Sequence, residues 1–535
     1  MPNEHSSYLV TPRLISAIAY SKKCKILTLI CLALIAVIFQ RGFQLGLVSS
    51  VTDRIRFHAI PVAVSFLYHG HPHDYTAARE VAIPFQGAGP LHELLADSVN
   101  KEVTQRNTYY WVADDKGFGD FVIVAFKLFG PKTSSMYLMW FVCLAFTTVL
   151  FLTSFPRRSW CLGLLGMLLV GIYTAISTLP LTDEANFLNF QSSAAISTVS
   201  IYEVRFLDVL AMIPVIHICL FTMRRSLTTC RWQMVAVLGQ VGFFFLLYHA
   251  RSSLGWQLVA MIGFLSLVVI YRLLRSRNKE VRRVAHFLPA AFVFATLLIG
   301  LIGLSIYKHA TYNPRYFQDM GVRTFWHNAL MGVVEPGLAT TYRLAYGDFE
   351  AARAVIKYSQ EGTCQQGITQ LDPQGLLNSL GGHGEQDWFA YESCAKKLYF
   401  HLWKKHSIRM AYNYVVLKPM ATVNVVLGTV RSVQAKFSDT ARAQFSIGWY
   451  PLTFVPLLFG AAVFLVAGQS LYRRRAMLLC LLATLLVFSL IPSLMFYAAI
   501  LTLGGFFVTL TILCYLFLLL GARASIRWLY EAPVR

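Results

Sequence analysis

Acidic residues are scarce in this chain: 26 Asp and Glu stand against 47 Lys and Arg over 535 residues, and charged residues of both signs amount to 14%. Beside 56% hydrophobic residues, that scarcity excludes a disordered chain and argues against an ordinary water-soluble enzyme. No Asn-x-Ser/Thr acceptor occurs, which favours a bacterial inner membrane over a eukaryotic secretory route. Neither a P-loop nor a dinucleotide-binding glycine fingerprint is present, so no nucleotide cofactor is expected. No basic stripe marks a soluble segment, so nucleic acid is not expected as a partner. Internal repeats and low-complexity tracts are missing as well, and the chain reads as one membrane domain with elaborated loops.

What is present is a series of apolar runs of roughly the 20 residues that a helix needs to cross a bilayer. They lie near 26–47, 134–154, 160–178, 205–222, 232–249, 254–271, 286–306, 449–467, 476–495 and 499–521, which predicts an all-α polytopic membrane protein with about ten transmembrane helices. The last two runs form one long stretch that is expected to fold back near Pro492. With the N-terminus in the cytoplasm, successive loops on that side hold Arg13, Lys22, Lys23 and Lys25, then Arg157 and Arg158, then Arg224, Arg225 and Arg231. Arg272 to Arg283, Arg473 to Arg475 and the tail with Arg523, Arg527 and Arg535 complete the series. The acids on that side are only Glu4, Glu280 and Glu531. This asymmetry obeys the positive-inside rule and puts both termini in the cytoplasm. The net charge of +21 then reports topology and contact with anionic headgroups. No small-residue cleavage site follows the first run, which reads as a retained span.

Residues 1–25 form the cytoplasmic N-terminus and 26–306 a membrane module whose first exterior loop is 48–133. A large, mainly helical exterior loop at 307–448 separates spans seven and eight, and 449–535 hold the last spans and a cytoplasmic tail. In the first loop, "GPLHELLADSVNKEV" places Leu91, Leu94, Leu95 and Val99 on one side of an interfacial helix. The stretch 119–129 is too short to span and reads as a second interfacial or partly re-entrant helix. "DWFAYESCAKKLYFHLWKKH" reads as a helix in the large loop, and 413–430 as juxtamembrane. Only Cys364 and Cys394 of the ten cysteines sit in an exported loop, as one disulfide or as two free thiols.

Two acidic pairs stand at the exterior ends of early spans: Asp114 and Asp115 in "YYWVADDKGFGDF", and Asp183 and Glu184 in "TLPLTDEANF". Either pair taken alone reads as a helix cap or a polar turn. At membrane level a carboxylate is costly unless it meets a cation, a hydroxyl or a basic partner. Converging, the pairs would hold a divalent cation, magnesium or manganese, or divide base and metal duties. Arg205 in "SIYEVRFLDVL" and Arg251 in "LLYHARSSLGW" can grip a phosphate bidentately or snorkel to the interface, with His249 beside Arg251. In the large loop, "RTFWHNALMGVVEPG" offers Trp326 and His327 for stacking and proton transfer, or a packed amphipathic helix. "GGHGEQDWF" offers Glu385 and Asp387 for contact with an acceptor, or a helix cap. His69, His71 and His73 in "YHGHPHDY" read as a solvated turn before a metal site.

"ADDKGFGDFVIVAFKLFGPKTSSMYLMWF" resembles the GT-C superfamily of multi-spanning glycosyltransferases, in which an acidic pair precedes a glycine, an apolar helix and the next span. The resemblance covers about residues 20–210. It implies transfer of a sugar from a polyprenyl phosphate to an acceptor glycan, lipid or protein outside the cytoplasm, in cell-envelope glycan biosynthesis. Asp115 would take the place of the catalytic acid, with Asp114 as its neighbour. The large loop between spans seven and eight departs from the best-known branches of that superfamily. Two other readings stand beside it. An O-antigen ligase or polymerase would make Arg251 and His327 central and the acidic pairs incidental. A lipid or solute transporter would show inverted repeats, which are not visible in the chain.

Overall fold

The computed structural model describes residues 10–48, 116–130, 133–178, 206–224, 231–276, 286–311, 325–344, 347–364, 388–421, 423, 450–495 and 503–531. Among these residues every regular element is a helix. In chain order the long apolar helices are α1 (Val10–Val48), α3 (Thr133–Ser154), α4 (Ser159–Thr178), α6 (Arg231–Ala250), α7 (Gly255–Ser276) and α8 (Leu288–Thr311), after the shorter α2 (Lys116–Phe129) and with α5 (Leu207–Thr222) between α4 and α6. The large loop contributes α9 (Phe325–Met331), α10 (Pro336–Tyr342), α11 (Asp348–Tyr358), α12 (Trp388–Lys405) and α13 (Ser407–Tyr412). Then come α14 (Tyr450–Tyr472), α15 (Arg475–Met495) and α16 (Leu503–Glu531).

Each of the ten apolar runs coincides with a helix, and among the described residues 9 of these are long and apolar enough to cross a membrane. The exception is α5, whose 16 residues reach about 24 Å at 1.5 Å per residue, short of a bilayer core of about 30 Å. Every residue of α5 is buried, and it packs against α3, α4, α6, α7, α8 and α16. An apolar run records distance from water, whether the neighbours are lipid or protein, so α5 is the central rod of the bundle. A second difference lies at Pro492, which sits inside α15; that helix runs on to Met495, and the return falls in 496–502, outside the described residues. Residues 119–129 do form a short helix, as α2, with Phe118, Val122, Ile123, Ala125 and Phe126 buried against α3 and α6. The first-loop helix expected around 91–99 lies outside the described residues.

The basic loops gather at one end of the bundle. At the end of α7, Arg272 donates to the carbonyls of Thr222 and Arg224 at 2.7 and 2.9 Å. Arg224 and Gln233 both donate to the carbonyl of Ser154, at the end of α3. Arg474 lies over the ring of Trp160, and Arg475 and Arg523 over that of Tyr472. The hydrogen bonds from Arg272, Arg224 and Gln233 satisfy carbonyls left free at helix C-termini, where positive charge is also favoured by the helix dipole. Antiparallel helices then carry the ends of α6 and α8 and the starts of α2, α5, α7 and α16 to the opposite end.

The large loop has its own core of Leu330, Leu338, Val355, Tyr391, Leu398 and Leu402. A disulfide between Cys364 and Cys394 closes it, with Cα atoms 5.7 Å apart. Lys418 ties this unit to the bundle: it is 3% exposed, and its Nζ donates to the Leu494 carbonyl at 2.9 Å. The Lys418 ammonium lies 4.4 Å from the centre of the Tyr414 ring, whose hydroxyl bonds that of Tyr399. Burial lowers the Lys418 pKa from the ordinary 10.5 to about 7. Below about 7 the amine is protonated whether docked or free, and docking bears the full desolvation cost. Between about 7 and 10.5 the docked amine sheds its proton before the free one does, so docking strengthens as pH rises. Hydrogen-exchange protection of 407–421, corrected for intrinsic rates, is expected to increase across that window. Lys418→Met should abolish the dependence, and an unchanged profile in that variant would assign the pH response to another group.

Candidate functional site

At the end of the bundle opposite the basic loops, the chain turns sharply between α6 and α7. Helix α6 ends at Ala250, Arg251 is extended with φ −145° and ψ 103°, and Ser252–Leu254 make one 3-10 turn before Gly255 starts α7. Paired serines suit such a break because their hydroxyls compete for local hydrogen bonds. Here the Ser253 hydroxyl accepts from Arg251 Nε at 2.9 Å, which holds the guanidinium stem at the corner.

Helix α2 starts on this corner. A Cβ built on Gly117 would lie 2.3 Å from the carbonyl oxygen of His249 and 2.6 Å from the nitrogen of Ala250, so only glycine permits this crossing. One turn later Asp120 Oδ2 meets His249 Nε2 at 3.0 Å. The carboxylate side chain is 31% exposed and the imidazole 9%. Tyr307, at the end of α8, packs edge-on to the imidazole with ring centres 5.1 Å apart. A carboxylate bonded to imidazole fixes the ring's orientation and stabilises a proton arriving on it, the arrangement that suits a relay for general-base work.

A second carboxylate lies deeper. Asp208, in the first turn of α5, is 1% exposed. Its Oδ1 accepts from Gln257 Nε2 and its Oδ2 from the backbone nitrogen of Gly505, both at 2.6 Å. Side chains on Gly505 are barred by Asp208 Oδ2 at 2.8 Å and Trp256 Cζ2 at 2.7 Å. The Arg251 guanidinium lies within electrostatic range of Asp208. The start of α2 thus meets the end of α6 through Asp120 and His249, and the starts of α5, α7 and α16 meet on Asp208, within electrostatic range of Arg251.

Of the residues expected from sequence, His249 and Arg251 are brought together here. Asp114 and Asp115 lie outside the described residues, immediately before Lys116, where α2 begins. Arg205 also lies outside them, one residue before Phe206, as do Asp183, Glu184, Glu385 and Asp387 and the histidines of "YHGHPHDY". Among the described residues no cluster of three or more His, Cys, Asp or Glu is placed to hold a metal ion. Trp326 and His327 belong to the packed loop unit. The backbone nitrogens of both donate to the buried Glu392 carboxylate, His327 Nδ1 bonds the Tyr391 hydroxyl at 2.6 Å, and His327 is 2% exposed. Glu335 caps α10 by accepting from the Leu338 nitrogen.

Asp120 and Asp208 were not singled out from sequence, although each is a lone acid inside an apolar stretch, the signal that makes an intramembrane carboxylate a site candidate. No protein-family model, no curated protein and no solved structure matches this chain, so the functional reading rests on its own residues.

Proposed function

We propose that this protein is an integral membrane glycosyltransferase that moves a sugar from a polyprenyl phosphate to an acceptor on the non-cytoplasmic face of a bacterial inner membrane. The observation that carries the reading is the Asp120–His249 pair beside Arg251, on the corner where the helix following Asp114 and Asp115 is seated. In such a transfer the acceptor oxygen bonds the anomeric carbon and the bond from that carbon to the phosphate oxygen breaks. The electron pair leaves on the polyprenyl phosphate, and the acceptor proton passes to a carboxylate. Asp115 is assigned as that base with Asp114 beside it, and His249, paired with Asp120, as the relay that takes the proton on from it. Arg251, together with Arg205, is assigned to the phosphate, since a guanidinium can hold two phosphate oxygens at once.

A divalent cation of the kind the resemblance implies would be held by Asp115, Asp183 and Glu184, which lie outside the described residues, and would neutralise phosphate charge. The burial of His327 against Tyr391 favours this reading over a ligase centred on Arg251 and His327.

The test is transfer of radiolabelled sugar from a panel of polyprenyl-phosphate sugars in proteoliposomes. Asp115→Asn is expected to abolish transfer and His327→Ala to retain it. Loss in the alanine variant with survival in the asparagine variant would move the assignment to the ligase class. No transfer from any donor by the unchanged protein would remove the glycosyltransferase reading.

A further inference from the structure

The helical segment that follows α12 has inverted polarity. On its inner side Met410 and Asn413 are fully buried, and Lys418 is nearly so. Asn413 Oδ1 accepts from the Val334 nitrogen at 2.8 Å and its Nδ2 donates to the Gly332 carbonyl at 3.1 Å, while Lys418 is held by Leu494. On the outer side stand Ile408, Tyr412, Val415, Met420 and Val423, exposed by 84, 48, 74, 56 and 56%. Asn413 and Lys418 face protein while most of the large apolar side chains face outward, the reverse of a helix on a water-soluble surface.

The backbone keeps that outer stripe continuous. Steps of four and three residues align Ile408, Tyr412 and Val415, but the next step, to Met420, is five residues, which in a regular α-helix would turn it about 140° away. The turn Asn413–Leu417 is a π-helix, which brings residues five apart over one another and takes up the additional residue. Met420 and Val423 thereby return to the stripe, and Lys418 goes to the opposite side.

We infer that residues 407–421, with Val423, form an in-plane helix seated in the lipid interface beside the end of α15, with Ile408, Tyr412, Val415, Met420 and Val423 against the acyl chains. Lipid is the occupant because Lys418 fixes the helix to Leu494, two residues past the end of the candidate span Arg475–Pro492. Lys404, Lys405 and Arg409, all exposed, flank the start of the stripe as the basic rim that anionic headgroups attract. This inference is independent of the reaction proposed above.

The test places a genetically encoded environment-sensitive fluorophore at Val415 in the full chain, with the same probe at Lys404 as control, in proteoliposomes containing either brominated or ordinary lipids. Blue-shifted emission at 415 that is quenched by bromine and not by aqueous iodide, with iodide quenching at 404, is the expected result. Iodide quenching at 415 overturns the inference. Blue-shifted emission that bromine leaves unquenched overturns it too, because protein, a second copy included, would then cover the stripe. Ile408, on the same stripe, gives the same reading if the Val415 variant does not assemble.

Discussion

Replacing Asp120 by Asn is expected to slow sugar transfer by about a hundredfold or more, the usual cost of losing a general-base partner. The change preserves size and leaves an amide oxygen for His249 Nε2, now 3.0 Å from the carboxylate, but removes the negative charge that stabilises a proton on the imidazole. His249→Ala should cost about as much. The double variant should cost little more than either single change, because groups that act as one unit are strongly non-additive. Initial rates in proteoliposomes and thermal melting of the same preparations decide between roles. A melting point that falls with the rate would make the pair a clasp between α2 and α6. An unchanged rate with intact folding would remove both residues from the reaction.

The helices were legible in the sequence because long apolar runs broken by basic loops leave few alternatives in a bilayer. What those runs could not convey is what each helix faces. Helix α5 is as apolar as its neighbours yet touches only protein; its run, 205–222, is as long as 232–249 and 254–271, so length did not mark it, and the lone acid Asp208 was the available clue. Pro492 reads as a break, but a helix packed in a bundle tolerates proline when its neighbours satisfy the freed carbonyl. The corner was half legible: Arg251 and His249 stand out as polar residues closing an apolar run. Asp120 was hidden inside "GDFVIVAFKLF", where hydropathy averages an acid away. Asp208 was hidden for a different reason, because its partner Gly505 is 297 residues distant and nothing local announces the pairing. In the large loop the polar residues of "RTFWHNALMGVVEPG" looked like a site by composition. The structure uses Trp326, His327 and Glu335 for packing and capping, which composition cannot distinguish from ligand contact.

Gly117→Ala should be among the most damaging conservative changes in the chain, and its sign is decided by two opposed terms. Alanine favours a helix over glycine by about 1 kcal/mol, which would stabilise α2 if there were room. There is none: the added carbon would stand 2.3 Å from the His249 carbonyl oxygen and 2.4 Å from the carbonyl carbon, and both belong to backbone that no rotamer change can move. Overpacking costs typically about 1–3 kcal/mol, and more where the neighbour is main chain, so the clash wins and α2 must shift off α6. That shift separates Asp120 from His249 and carries with it the chain segment just ahead of Lys116, where Asp114 and Asp115 lie. A displacement of about 1 Å in a reacting group can lower a rate by about a hundredfold, so transfer should fall further than stability does. Gly242→Ala, on α6 with nothing within 4 Å of the added carbon, is the control and should leave transfer unchanged and melting equal or slightly higher. If Gly117→Ala behaves like that control, α2 is not held against the corner, and the assignment of Asp115 to the same site as Arg251 loses its structural support.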